Sequence, residues 1–275
     1  MTLDLLLRSP TPAVTPEEAG WRWLSYASDR ISGSAAFTTG ADEVCLVNLG
    51  GRLSATVDGE EHDLGDRETP FAGLPRSLYL PPDAAYSVQG EGLLARCGSR
   101  AEAASAGAVQ SIPPESVRVE VRGSGNATRQ INHIIPPEFA AHRLLVVEVL
   151  TPAGNWSSYP PHKHEQERLP VENDLEEVYA YRFDGPAAFG LQRLYSKDGS
   201  LDETWTVRDG DVMLVPRGYH PFVSAHGYDG YYLNTLAAER RSMAAEDDPD
   251  LAWTRETWAA MERDPRVPIT GEETS

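Results

Sequence analysis

A chain of 275 residues with 24 basic and 42 acidic side chains has a formal charge of −18, which argues against nucleic acid or an anionic membrane surface as partner, since both need basic patches. Its 40% hydrophobic content is that of a globular protein, with length for one large domain or two of ordinary size. The two cysteines, Cys45 and Cys97, are too few for a disulfide framework and read as small buried apolar residues.

The run from Met1 to Arg8 is short and interrupted by Asp4, so it does not make the apolar stretch of a signal peptide. No apolar run approaches a membrane span, and the expected location is the cytoplasm. Residues 1 to about 18 read as an irregular lead-in. From Trp21 short alternating segments follow one another, broken by Gly, Asp and Pro. Glu43 to Leu49 and Leu53 to Val57 read as strands separated by Gly50-Gly51, and Asp58-Gly59 after the second is a hairpin signal. Ser77 to Pro82 and Tyr86 to Val88 continue the pattern. Residues 101–116, rich in Ala, Ser and Gly, read as a connection between halves.

Strand texture resumes at Val117 to Val121 and is strong from His142 to Val149. Further strands are expected at Glu177–Phe183, Phe189–Tyr195, Thr204–Arg208, Asp211–Pro216 and Gly230–Leu236. Pro249 to Arg263, with Leu251, Trp253, Trp258 and Met261, reads as a short amphipathic helix packed on the β-structure, and the last residues as a frayed acidic end. Many short strands at regular spacing predict an all-β protein of sandwich or closed-barrel type. Tyr79-Leu80-Pro81-Pro82 in the first half and Leu214-Val215-Pro216-Arg217 in the second suggest two copies of one β-fold.

The chemistry concentrates in the second half. His162 and His164 flank one residue, so on a strand both imidazoles share a face. Glu177, Tyr179 and Tyr181 share one face of the next strand, while Glu176 and Val178 take the other, so only one of the two glutamates meets the histidines. His220 follows a Pro-x-Gly turn that ends a strand. Three imidazoles and a carboxylate suit a divalent transition ion. His-x-His alone is a weak signal. Followed by a strand opening with Glu and then by Gly-x5-Pro-x-Gly-x-His, all within about sixty residues, it approximates the paired motifs of the cupin barrel. The fold expected is thus two tandem cupin (jelly-roll β-barrel) domains with a short C-terminal helix. Residues 1–116 form an N-terminal barrel lacking a metal site, and residues 117–275 a metal-binding barrel plus the helical tail. Tyr179 and Tyr181 are weak catalytic candidates as cavity-lining side chains. Of the arginines that would suit a substrate carboxylate (Arg129, Arg182, Arg193, Arg217), Arg182 and Arg193 are the weak substrate-binding candidates. Lys163, between two ligands, points away from the ion.

Beyond spacing, the stretches Trp156 to His164, Leu175 to Tyr179, Gln192 to Tyr195, Leu201 to Thr204, Asp209 to Val212, Val215 to Pro221, Gly227 to Asp229 and Tyr231 to Asn234 resemble the 5-deoxy-glucuronate isomerase family of myo-inositol catabolism. The likeness runs from about Trp21 to Trp253 and is densest in the second half. It implies a metal-dependent aldose–ketose isomerase converting 5-deoxy-D-glucuronate to 2-deoxy-5-keto-D-gluconate, with His162, His164, Glu177 and His220 as metal ligands. The partner implied is a small acidic sugar, and a homo-oligomer is compatible with the sequence. Manganese, zinc or iron would serve as the one divalent ion. A cupin dioxygenase and a non-catalytic sugar-binding cupin are the rival readings.

Overall fold

The computed structural model describes residues 4–10 and 13–274; part of the run from Met1 to Arg8 lies outside them. The expectation of an all-β chain is met: helical segments are limited to single turns, and no helix among the described residues is long and apolar enough to cross a membrane. The strands form three main sheets. One of six strands runs Leu24–Thr38, Ala85–Arg100, Asp42–Val57, Ser77–Leu80, Gln110–Ile112, with Glu60–Asp63 added beside Asp42–Val57. One of seven strands runs Leu6–Leu7, Val212–Val215, Glu176–Phe183, Gly230–Ala237, Leu144–Thr151, Arg129–Ile135, Arg118–Arg122. A four-stranded sheet, Trp156–Ser157, Phe222–Ser224, Gly190–Tyr195, Asp202–Val207, covers one face of the seven-stranded one.

Local sequence explains much of this. Asp58 and Gly59 both take positive φ, 51° and 83°, the conformation of a two-residue hairpin loop, and the register pairs Val57 with Glu60 across it. Gly50-Gly51 does not end a strand. Asp42–Val57 is continuous, and the glycines form a bulge opposite Leu93 and Gly92. A Cβ on Gly51 would lie 2.1 Å from the Glu91 carbonyl oxygen, so this close approach requires glycine. Cys45 and Cys97 face each other across neighbouring strands as free, buried thiols.

The seven-stranded sheet is buried on both faces, and the two faces do different work. Val178, Ala180, Val212, Leu214, Tyr231 and Leu233 pack toward Tyr26, Cys45, Val47, Tyr79 and Cys97 of the six-stranded sheet. Tyr179, Tyr181, Phe183, Met213, Val215 and Tyr232 turn the other way, toward Leu194, Val207 and Phe222. The interior of the first half is an apolar cluster of its own, including Leu46, Leu53, Leu78 and Val88.

Two buried carboxylates fasten the halves reciprocally. Glu43 accepts the backbone N–H groups of His142, Arg143 and Leu144. Glu176 accepts those of Arg22, Trp23 and Leu24. Each opens a long strand of its own half and satisfies three amides where a segment of the other half enters its strand. The residue after Glu43 is Val44, inside the apolar cluster; the residue after Glu176 is Glu177, and it faces the cavity described below. Arg67 and Glu148 add a buried ion pair at 2.5 Å across the same junction.

Three expectations need correction. Leu24–Thr38 and Arg129–Ile135 are strands that the pattern did not announce. The α-helix near the C-terminus is the single turn Thr254–Thr257, followed by a 3-10 turn, with Trp253 and Met261 exposed rather than packed. The acidic end is not frayed: Thr274 exchanges hydrogen bonds with Val119, and Thr270 is bonded to Gln130, along the edge of the seven-stranded sheet.

Candidate metal centre and cavity

Strand alternation puts Glu177 and Tyr179 on the side facing the four-stranded sheet, and Glu176 on the side facing the first half. The choice between the two glutamates therefore has a structural reason: Glu176 is consumed by three backbone amides, and Glu177 is free to face the histidines. His162 sits in a two-residue strand paired with Glu246–Asp247. His220 follows Gly218, whose positive φ of 85° makes the turn after Val212–Val215. Ser158, four residues before His162, takes a positive φ of 49°.

The side chains converge. His164 Nε2 lies 2.8 Å from Glu177 Oε2, and His220 Nε2 lies 3.4 Å from the same oxygen. One donor atom from each of these three residues falls within 4.8 Å of the others, and all three are buried. His162 adds its ring 4.8 Å from that of His220 and 6.4 Å from that of His164. Asn234 Nδ2 donates to Glu177 Oε1 at 2.8 Å, which fixes the carboxylate.

The backbone sets the tautomers. His164 Nδ1–H donates to the Leu175 carbonyl at 3.1 Å and His220 Nδ1–H to the Gly218 carbonyl at 2.9 Å. A neutral ring so held presents a lone pair at Nε2. Two lone-pair nitrogens then point at a carboxylate, and His220 Nε2 is buried with no hydrogen-bond partner. Such an arrangement needs a positive centre between the atoms. A divalent ion with bonds of about 2.1 Å to N and O donors meets the need, so these residues fit a metal. Burial, with help from the neighbouring imidazoles, pushes His162 and His220 down to about 3, which keeps them unprotonated as ligands must be. Burial also acts to lower His164, but the Glu177 carboxylate outweighs it and raises that ring.

His162, His164 and Glu177 of the cluster line a cavity of about 180 Å³. Tyr179, Tyr232, Ser158 and Asn234 line it with polar groups, Ile131, Val147, Val149 and Met243 with apolar ones, and Arg122, Arg129, Asp247 and Arg255 carry charge there. Tyr179 is packed against Tyr232, ring centroids 4.6 Å apart, and its hydroxyl is 2.9 Å from Ser158 Oγ. Burial holds the Tyr179 hydroxyl far above its ordinary value, so it stays protonated.

The structure does not bring every candidate together. Tyr181 lies deeper than the cavity and donates to Gln192 Oε1 at 2.7 Å. Arg182 is paired with Asp209 and Arg193 with Asp202, and neither lines the cavity. Lys163 turns to Glu172, Glu165 and Glu246, away from the cluster. Tyr232 and Asn234 were not singled out as site residues, although alternation along the expected strand Gly230–Leu236 places them together. Asp247 had no local signal, since its strand meets His162 from more than eighty residues away.

An all-β architecture of paired sheets enclosing a His/Glu cluster defines a protein of the cupin type. The fold of the Lactobacillus farciminis oxalate decarboxylase supports the class: TM-score 0.58 at 9% identity, over 86% of this chain and 82% of that one. The chain belongs to the KduI/IolB family, whose model matches residues 7–254. The 5-deoxy-glucuronate isomerase of Geobacillus thermodenitrificans is 41% identical over 254 residues, 91% of this chain and 93% of the relative. The crystal structure of an IolB-like protein from Salmonella typhimurium superposes with TM-score 0.87 at 35% identity, over 91% of this chain and 99% of that one. The chain is thus an enzyme of the isomerase class.

Proposed function

We propose that the enzyme converts 5-deoxy-D-glucuronate to 2-deoxy-5-keto-D-gluconate in myo-inositol catabolism, with a divalent metal held by His162, His164, Glu177 and His220. One observation carries the metal-dependent part of the reading. His220 Nε2 is buried and unpartnered, aimed at a carboxylate that already meets a second imidazole. The substrate part is supported by the relatives named above.

On the route proposed here, the aldose–ketose isomerisation moves a proton between neighbouring carbons through an enediolate, a metal-assisted hydride shift being the alternative that the test below separates. A metal bound at this cluster supplies Lewis-acid polarisation of the substrate carbonyl, and manganese, zinc and iron all suit these donors. The chain supplies the rest. Among the described residues Asp247 is the carboxylate on the cavity wall outside the cluster, held in place by the Arg255 guanidinium, and it is the base we assign. Tyr179, kept protonated by burial, donates a hydrogen bond to oxygen as charge develops there. The apolar wall of Ile131, Val147 and Val149 offers no partner to a hydroxyl and so favours a deoxygenated carbon.

The test is to run the reaction on 5-deoxy-D-glucuronate in heavy water and follow it by NMR. The keto acid with solvent deuterium at the receiving carbon is the expected result. No turnover would remove the substrate assignment, and product without deuterium would remove the enediolate route.

A further inference from the structure

The cavity holds one guanidinium for which the described residues supply no carboxylate; its nearest compensation is the Trp258 ring, 5.7 Å from the guanidinium carbon. Arg129 opens the strand Arg129–Ile135 and is only 3% exposed, yet among the described residues it has no carboxylate within ion-pair distance. Its one hydrogen bond is from Nη1 to the Ala127 carbonyl at 3.0 Å, which leaves most of its five N–H donors without an acceptor from the protein. Burying a cation without a counter-ion is unfavourable.

The neighbours sharpen the contrast. Arg122 lies directly opposite Arg129 in the strand register, a like-charge pairing that is unfavourable by itself. But Arg122 has its own counter-ion, gripping Glu120 through Nε and Nη2 at 2.6 and 2.9 Å. Arg255 has one too, since its guanidinium forks onto Asp247, Nη2 to Oδ1 at 2.8 Å. Arg241, elsewhere and partly buried, lacks a carboxylate but spends its donors on the carbonyls of Pro136, Pro137, Phe139 and Leu144. Arg129 has no carboxylate and only one carbonyl, with the Trp258 ring at 5.7 Å, and it lines the same cavity as His164 and Glu177. Burial first, and then Arg122, push it down to about 9, against the strong preference of a guanidinium to remain charged.

We infer that Arg129 is the receptor for the carboxylate of the substrate, holding that end of a sugar acid while the other end meets the His/Glu cluster. One uncompensated positive charge calls for a monoanion, and the guanidinium fork matches a carboxylate's two oxygens. The inference rests on the proposed sugar-acid reading and adds what fixes its specificity: a neutral sugar of the same size leaves Arg129 unpaired.

The test uses binding rather than turnover. Thermal unfolding of the metal-loaded full chain is measured alone and with D-glucuronate, D-glucose or inorganic phosphate, for wild type, Arg129→Met and, as a control outside the cavity, Arg193→Met. Glucuronate is expected to raise the wild-type and Arg193→Met midpoints, with glucose and phosphate much weaker. Arg129→Met is expected to lose the glucuronate response while unfolding, ligand-free, at or above the wild-type midpoint, because a buried unpaired charge has been removed. A merely structural arginine would give the opposite ligand-free result, a lower midpoint, and that outcome overturns the inference. So does a glucuronate response retained in Arg129→Met, or a wild-type response to glucose or phosphate equal to that to glucuronate. The two readings separate cleanly. Arg129-dependent glucuronate binding without isomerisation of 5-deoxy-D-glucuronate upholds this inference and removes the activity. Isomerisation with unchanged KM in Arg129→Met does the reverse.

Discussion

Two adjacent glutamates should fail in different ways when each is changed to glutamine. Both Glu176 oxygens are occupied by donors: Oε1 by the Arg22 N–H at 2.7 Å, Oε2 by the Trp23 and Leu24 N–H groups, both at 2.9 Å. An amide turns one oxygen into an NH2 group facing an N–H donor and removes the charge that strengthens the remaining bond. Each buried donor left unsatisfied costs about 1–3 kcal/mol, and one or two are stranded, so Glu176→Gln should lose about 2–4 kcal/mol. For a chain of this size that is a fall of roughly 5–15 °C in Tm. Glu177→Gln differs. Its amide donates to His164 Nε2 and keeps an oxygen for Asn234, so the metal-free protein should move by no more than about 1 kcal/mol, while metal content and turnover collapse. The assay is thermal and denaturant unfolding beside elemental analysis and activity of the folded fraction. A Glu176→Gln protein unfolding at the wild-type midpoint, or a Glu177→Gln protein that keeps metal and activity, would refute the assignment of the two faces.

The metal-free protein should lose stability as the pH falls from about 6.5 toward 3, because the unfolded chain takes up protons that a buried His220, pushed down to about 3, refuses. That histidine alone accounts for up to roughly 5 kcal/mol of stability present at neutral pH and lost across that window. His164, raised by Glu177, acts in the opposite sense, stabilising at low pH and losing its effect as the pH rises through its folded-state value. Comparing denaturant midpoints against pH for metal-free wild type and His220→Ala isolates the first effect, and an unchanged acid limb would count against it. The tyrosines should also separate. Tyr179→Phe removes a hydroxyl from the cavity and should lower kcat about a hundredfold, with little change in Tm. Tyr181→Phe strands Gln192 Oε1 and should cost about 1–2 kcal/mol of stability with kcat nearly intact; equal effects on kcat would show that the cavity boundary is misplaced.

Which parts of this fold were legible depends on how each strand is covered. Glu176–Phe183 could be placed because its face partition is chemical, with tyrosines one way and Val178 and Ala180 the other. The Asp58-Gly59 loop was readable because its backbone demands those residues. Arg129–Ile135 is buried along its whole length and carries Gln130, Asn132 and His133 among its isoleucines, so no alternation marks it. Leu24–Thr38 failed for the opposite reason: much of it is exposed, and small residues such as Ser32, Gly33 and Ser34 give no apolar rhythm. The single helical turn near the C-terminus was over-extended because four apolar side chains with acids and bases between them looked like a packed face, whereas Trp253 and Met261 reach solvent. The convergence of His164, Glu177 and His220 was legible from spacing and strand phase, with resemblance deciding between the glutamates. Asp247 and Arg255 were not, since only the long-range pairing of His162–Lys163 with Glu246–Asp247 delivers them. Arg182 and Arg193 were preferred to Arg129 in sequence. Burial, which sequence does not report, separates them.

The central claim is that the buried cluster is a metal centre. Elemental analysis of the purified full-length protein, wild type beside His220→Ala, tests it most directly. The account predicts close to one divalent transition ion per folded wild-type chain and a large loss in the variant, with circular dichroism showing both folded. Wild-type protein that takes up no divalent metal even when supplied with manganese, zinc and iron, or a His220→Ala variant that binds as much as wild type, would contradict it.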